Sequence, residues 1–151
     1  APPIRAKAKP FLDSAFNILY VFPGAFAYQM LSGNFPPIPL MIAAGCWPAA
    51  MHAYSAIPDI EADKEAGLKT IATVCGPYVT LAICAALYLA AAVISFEYLG
   101  MVSVSLGFAY VFLMLASVRS YKTGRLFKLY RAFPLINVFA GFILFWEVVL
   151  R

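Results

Sequence analysis

The chain has 151 residues, of which 64% are apolar and 12% are charged, and its mean hydropathy is +0.84. This composition is typical of a membrane protein and excludes an ordinary water-soluble domain. The net charge of +4 comes from cations between apolar runs, which suits an anionic lipid surface, so we expect a membrane lipid partner and no nucleic acid.

Long uncharged runs predict five transmembrane helices, over about residues 13–31, 38–57, 70–96, 98–118 and 133–150. Each run approaches the roughly 20 residues needed to cross about 30 Å of hydrocarbon. We therefore predict an all-α membrane protein in which residues 1–151 form one transmembrane unit. The chain opens without an initiator Met or a signal-peptide pattern, so we expect it to be a fragment of a longer protein.

Proline interrupts the first two of these runs. Pro23-Gly24 lies near the centre of the first and Pro48 lies within the second. Proline removes a helical hydrogen bond, so we expect a kink at each position. Such kinks often widen a bundle into a pocket, and a packing kink without a ligand is the alternative.

The basic residues lie mainly in three segments: the N-terminus, an acidic loop over 58–69 and a basic loop over 119–132. Five spans put all three on one side, and the positive-inside rule makes that side cytoplasmic. We expect a prokaryotic cytoplasmic membrane. A cation at every third position of the basic loop wraps a helix surface, so we interpret it as a headgroup anchor; a contribution to binding an anionic substrate is the alternative.

The cysteines and the histidine, which are common metal ligands, lie apart from one another in the sequence. Cys46, Cys75 and Cys84 fall in apolar runs without paired spacing, so we expect buried thiols and neither a disulfide nor a zinc site. His52 is the chain's single histidine, and we interpret it as a core or interfacial residue.

The acidic loop contains four of the chain's seven carboxylates, and such a cluster at a membrane edge indicates function. A short helix ending near Gly67 would put two pairs of acids on opposite faces, each pair one turn apart. Lysines follow one pair at helical spacing, whereas the other pair has no such partner. The paired acids are Glu61 with Lys64 and Glu65 with Lys69, and the unpaired acids are Asp59 and Asp63.

Asp59 and Asp63 are therefore candidate ligands for Mg²⁺, which prefers oxygen ligands and often bridges to substrate phosphates. A magnesium diphosphate site at a membrane edge implies a substrate with an anionic head and an apolar tail. Ionisation of an allylic prenyl diphosphate needs both parts. The metal stabilises the departing diphosphate, and a transmembrane bundle keeps the carbocation away from water.

At these residues the chain resembles the UbiA family of intramembrane prenyltransferases, which have nine transmembrane helices and two Asp-rich motifs. The second motif has the form D-x-x-x-D followed by glycine and a small hydroxyl residue. The opening resembles the basic loop before the family's fifth helix, so the chain corresponds to helices five to nine, half of the bundle. The matching positions are Asp59, Asp63, Gly67 and Thr70, and Pro2-Pro3-Ile4-Arg5 with Lys7 and Leu12-Asp13.

The resemblance implies that prenyl diphosphate and a lipophilic acceptor are the substrates and Mg²⁺ is the cofactor. The first Asp-rich motif would lie in four helices absent here, so we expect the 151 residues alone to be inactive without the N-terminal half or another membrane subunit. The implied roles are metal binding by Asp59 and Asp63, diphosphate contacts by Arg5, Lys7 and Lys69, and a place near the reacting carbons for Tyr54.

The residues 52–60, His-Ala-Tyr-Ser-Ala-Ile-Pro-Asp-Ile, most resemble the lycopene elongase type within this family. A carotenoid such as lycopene is then the expected acceptor, with a quinone precursor or chlorophyllide as alternatives. A second hypothesis is a non-catalytic membrane subunit, a half-fold that packs in a larger complex or holds a carotenoid or lipid.

Overall fold

The computed structural model describes residues 9–150, and within them every regular element is helical. Shorter helices come first, and the three longest follow one another at the C-terminal end. The elements are α1 (Leu12–Ala15), a 3₁₀ helix (Phe16–Val21), α2 (Phe22–Ser32), α3 (Ile38–Ser55), α4 (Ile60–Glu65), α5 (Ile71–Leu99), α6 (Met101–Lys122) and α7 (Leu126–Val149).

Three of the described helices, α5, α6 and α7, are long and apolar enough to cross a membrane. The first predicted span, 13–31, is broken into α1, the 3₁₀ helix and α2. Pro23 lies in the first turn of α2, where its missing N–H costs no helical bond, so a new helix begins there instead of a kink. The second predicted span corresponds to α3, which has 18 residues and contains the buried Pro48. That these two segments also cross the membrane stays a prediction.

The predicted basic loop over 119–132 is mostly helical, because α6 continues to Lys122 and α7 begins at Leu126. Arginine, lysine and leucine are good helix formers, so the cations extend both helices. The connection is a tight turn in which Gly124 has φ 67° and the Arg125 N–H donates to the Ser120 carbonyl at 2.8 Å. Glycine at this left-handed position is a common helix C-terminus.

Helix α5 bends near its start, at a position the sequence analysis did not identify. Gly76 has φ 77° and ψ 167°, and Pro77 follows it. The proline cannot donate a helical hydrogen bond, and only glycine adopts this backbone conformation without strain. The Thr80 hydroxyl donates to the Gly76 carbonyl at 2.8 Å, which satisfies a backbone group at the bend.

The core lies where α3 packs against α5 and α5 packs against α6, while α1 and the 3₁₀ helix cover α3 and α7 packs on α6. Small residues allow the close approach of α3 and α5: Ala50 and Ala53 are fully buried, and the Cys84 thiol donates to the Ala50 carbonyl at 3.4 Å. All three cysteines are free, with Cys84 buried and Cys46 and Cys75 half-buried.

Candidate active site at the acidic helix

The acidic segment forms the short helix α4, and its two ends are well defined. The Asp63 N–H donates to the Asp59 carbonyl at 2.8 Å, so these two residues are one helical turn apart. Gly67 ends the helix with φ 68°, and the Leu68 N–H donates back to the Asp63 carbonyl at 2.8 Å. This glycine C-terminus turns the chain towards α5.

The glutamates and aspartates of α4 differ in their partners. Glu61 pairs with Lys64 at 3.0 Å, on an exposed face. The pairing of Glu65 with Lys69 predicted from their spacing is not among the ion pairs of residues 9–150. Gly67 lies between them and ends the helix, so a four-residue spacing no longer corresponds to one turn.

Asp63 is held against the start of α5, whereas Asp59 is open. The Thr70 hydroxyl lies 3.3 Å from Asp63 Oδ2 and also accepts from the Thr73 N–H at 3.3 Å, which caps α5. Asp63 is half-buried. Asp59 is exposed, and its carboxylate forms no hydrogen bond with any of the described residues.

A third carboxylate, Asp13 of α1, joins this region from the opposite part of the chain, and sequence reasoning did not assign it a role of its own. Its side chain is 3% exposed. Its Oδ2 accepts from the Ile71 N–H at 3.1 Å and its Oδ1 from the Ser14 N–H at 2.9 Å. The sequence offered one signal, a carboxylate at the start of an uncharged run. It could not reveal the partner, which lies 58 residues away.

Tyr54 lies in the core and is fully buried. Its hydroxyl is 3.0 Å from the Ser117 hydroxyl. Its ring packs edge-on against Phe133 with centroids 4.8 Å apart, and Tyr130 lies at 5.9 Å. Tyr54 does not line the apolar cavity that residues of α3, α5, α6 and α7 form in the other half of the bundle. Its place near the reacting carbons stays a prediction.

The other predicted site residues are distributed as follows. Lys69 is exposed and directly precedes Thr70, at the junction between the acidic helix and α5. Arg5 and Lys7 lie outside the described residues. His52 is half-buried in the last turn of α3.

Two carboxylates one turn apart fit the way proteins bind Mg²⁺, through one or two carboxylates completed by waters and substrate phosphates. Asp59 has unused acceptor capacity, and Asp63 is partly oriented by Thr70. Within residues 9–150 no three His, Cys, Asp or Glu side chains form a cluster that could hold a metal. The aspartate pair is therefore suited to share a cation with a phosphate ligand.

The apolar helices α5, α6 and α7, with the acidic helix α4 beside them, define a helical membrane protein with an acidic site at one end of its bundle. The sequence profile of the UbiA prenyltransferase family matches residues 3–147. The chain belongs to this family.

Curated relatives include the lycopene elongase/hydratase of Haloferax volcanii, 50% identical over 93 residues that cover 62% of this chain and 31% of the relative. The protein of the same name from Haloarcula japonica is 47% identical over 92 residues, covering 61% and 31%. The C(50) beta-cyclic carotenoids biosynthesis protein LbtBC of Dietzia sp. is 29% identical over 159 residues, covering 97% and 37%. No solved structure matches. The chain spans about a third of the length of these relatives.

Proposed function

We propose that this chain is part of a membrane prenyltransferase that transfers a prenyl group from an allylic prenyl diphosphate to a carotenoid such as lycopene. Asp59 and Asp63 bind Mg²⁺ together with the diphosphate. The site faces the cytoplasm of a prokaryotic cell from the cytoplasmic membrane. Family membership supports the reaction class, and the relatives named lycopene elongase/hydratase support the acceptor.

The observation that carries this proposal is the asymmetry of α4. Glu61 pairs with Lys64, and Glu65 is exposed. Asp63 is the half-buried acid that faces the start of α5, Asp59 lies one turn before it, and no cation among the described residues neutralises the two aspartates. Two carboxylates on one helix face repel each other, and a shared divalent cation turns that repulsion into attraction.

The residues around the two aspartates would help to bind the diphosphate and to exclude water from the reaction. Bound Mg²⁺ supplies positive charge where negative charge develops on the departing diphosphate. Lys69, with Arg5 and Lys7, adds cationic contacts to the same phosphates. The dense apolar core around Tyr54 excludes water from the membrane side of the site.

The decisive assay uses the full-length protein in lipid vesicles with lycopene and dimethylallyl diphosphate, and measures longer carotenoids by mass spectrometry. Asp59→Asn and Asp63→Asn are expected to lower turnover by at least about 100-fold, because the metal supplies several kcal/mol of charge stabilisation. Glu61→Gln and Glu65→Gln are matched controls on the same helix, and each should keep near-normal turnover. Aspartate variants with unchanged turnover and unchanged Mg²⁺ dependence would show that the site is misassigned.

The acceptor is tested separately. Quinone precursors and chlorophyllide replace lycopene in the same vesicles, with the donor and Mg²⁺ held constant. Prenylation of one of these, with lycopene left unmodified, would keep the reaction class and overturn the carotenoid acceptor.

A second candidate function is a non-catalytic membrane subunit that packs in a larger complex or holds a carotenoid or lipid. The observation that favours it is the exposure of Asp59, whose carboxylate has no hydrogen-bond partner among the described residues. We propose that residues 1–151 alone are inactive and that an N-terminal half or another subunit completes the site. Carotenoid binding by the full-length protein without any transfer, in the presence of Mg²⁺ and donor, would favour the subunit.

A further inference from the structure

An apolar cavity lies in the half of the bundle away from α4. Its volume is about 380 Å³, it is partly open, and residues of α3, α5, α6 and α7 line it. Leu40, Trp47, Leu99 and Leu106 contribute to a mostly apolar lining. This volume falls within the range of small-molecule sites, about 300–1,000 Å³.

Three polar side chains lie together at one side of the cavity: Tyr88, Tyr110 and Asn137. The Tyr88 and Tyr110 rings stack with centroids 4.4 Å apart, and the Tyr110 hydroxyl donates to Asn137 Oδ1 at 2.7 Å. Tyr88 is only 2% exposed, and its hydroxyl has no hydrogen-bond partner among the described residues. The Asn137 amide nitrogen reaches only the Met51 sulfur, a weak acceptor, at 4.0 Å.

Two donors, on Tyr88 and Asn137, are thus left without a good acceptor in apolar surroundings. Leaving a buried polar group unpaired is costly, and in a membrane no bulk water is present to satisfy it. The serines of the cavity do not fill this role: the Ser95 and Ser103 hydroxyls donate to backbone carbonyls, and neither accepts a hydrogen bond from Tyr88 or Asn137.

We propose that this cavity binds the end of a long isoprenoid chain that carries a hydroxyl group, with the hydroxyl oxygen accepting hydrogen bonds from Tyr88 and Asn137. The apolar lining accommodates the chain, and the stacked tyrosines give its last carbons a flat aromatic surface.

The position of Tyr88 sets the length of such a ligand if it is also the acceptor, an assignment that rests on the proposed function. Tyr88 is 18 residues beyond Thr70 on α5, but the helix is continuous only from Pro77, and these 11 residues span about 17 Å at 1.5 Å per residue. A molecule that reacts near α4 and touches Tyr88 must therefore extend over about half of a hydrocarbon core of about 30 Å. A linear carotenoid with a hydroxyl group at its far end has both this length and the polar end, whereas lycopene lacks the hydroxyl and a short aromatic acceptor lacks the length.

The test measures binding to the full-length protein in lipid nanodiscs, without Mg²⁺ or donor. The probes are geranylgeraniol and a hydrocarbon of the same chain length that lacks the hydroxyl, followed through the fluorescence of Trp47, with Trp47→Phe as the blank. Wild-type protein should prefer the alcohol by about 30-fold, the effect of two net hydrogen bonds of about 1 kcal/mol each. Tyr88→Phe should lower the preference to about fivefold, since Asn137 remains, and Tyr78→Phe, at an exposed tyrosine of the same helix, should keep the full preference.

The alcohol-to-hydrocarbon ratio is measured within each variant, so partial loss of folded protein does not change it. Equal binding of both probes by the wild type, or an unchanged preference in Tyr88→Phe, would overturn the proposal. Asp59→Asn should abolish transfer and keep the alcohol preference. A wild-type protein that shows the preference and no transfer supports the cavity proposal and counts against the proposed function.

Discussion

Replacing Asp13 tests whether a buried carboxylate joins the first helix to the start of α5. Both of its oxygens accept backbone N–H groups, from Ser14 and Ile71. Asp13→Asn keeps one acceptor oxygen and puts an NH₂ group against the other donor, so it should cost about 2 kcal/mol of unfolding free energy, the contribution of one bond to a charged group. Asp13→Ala loses both bonds and should cost about 4 kcal/mol.

The assay is reversible unfolding in mixed micelles, with helix content as the signal. Glu61→Gln is the control, because Glu61 is exposed and its ion pair with Lys64 should contribute less than about 1 kcal/mol. We expect Glu61→Gln to be the most stable variant, Asp13→Asn to be less stable and Asp13→Ala to be the least stable. If Asp13→Ala proved as stable as the control, the bond to Ile71 would not hold the two segments together.

Three further predictions concern the same region and the core. Gly76→Ala should destabilise the protein by about 1–2 kcal/mol in the same unfolding assay, because an alanine is strained at φ 77°; an unchanged midpoint would exclude this strain. Thr70→Val should cost about 1 kcal/mol through the lost cap of α5 and should raise the Mg²⁺ concentration for half-maximal turnover, since Asp63 loses a partner; unchanged Mg²⁺ dependence would separate Thr70 from the site. Tyr54→Phe should cost about 1 kcal/mol, because the Ser117 hydroxyl loses its neighbour; no change in stability would contradict that bond.

Local signals in the sequence were sufficient to predict the acidic helix and its C-terminus. The spacing of Asp59 and Asp63, with Gly67 after them, predicted a short helix ending at a glycine, and the structure has this helix and this C-terminus. The information is local because a hydrogen bond between residues four apart and a left-handed glycine depend on neighbouring residues only.

Hydropathy alone did not predict where the helices begin, end or break. It predicted one helix over 13–31, whereas the structure has a 3₁₀ segment and a new helix that begins around Pro23. It also placed a loop over 119–132 because charge was taken to mark the end of a helix. Charged residues with good helix propensity extend α6 and α7 past the apolar part of each helix, and only the turn at residues 123–125, with Gly124 in its left-handed position, separates them.

Contacts between segments distant in the chain could not be predicted from the sequence. The bond of Asp13 to Ile71 and the stacking of Tyr88 on Tyr110 depend on how helices pack, and no periodicity encodes them. The pairing of Glu65 with Lys69 is a local case: it was predicted from a four-residue spacing, although Gly67, which the sequence also marked as the end of the helix, lies between the two residues.

The most direct measurement of the central claim is Mn²⁺ binding to the full-length protein, followed by electron paramagnetic resonance in the presence of a non-hydrolysable prenyl diphosphate analogue. Wild-type protein and the Glu61→Gln and Glu65→Gln variants should bind the ion with similar affinity. Asp59→Asn and Asp63→Asn should each weaken it by about 10-fold or more. Equal Mn²⁺ affinity in all of these proteins would contradict a cation site formed by the two aspartates.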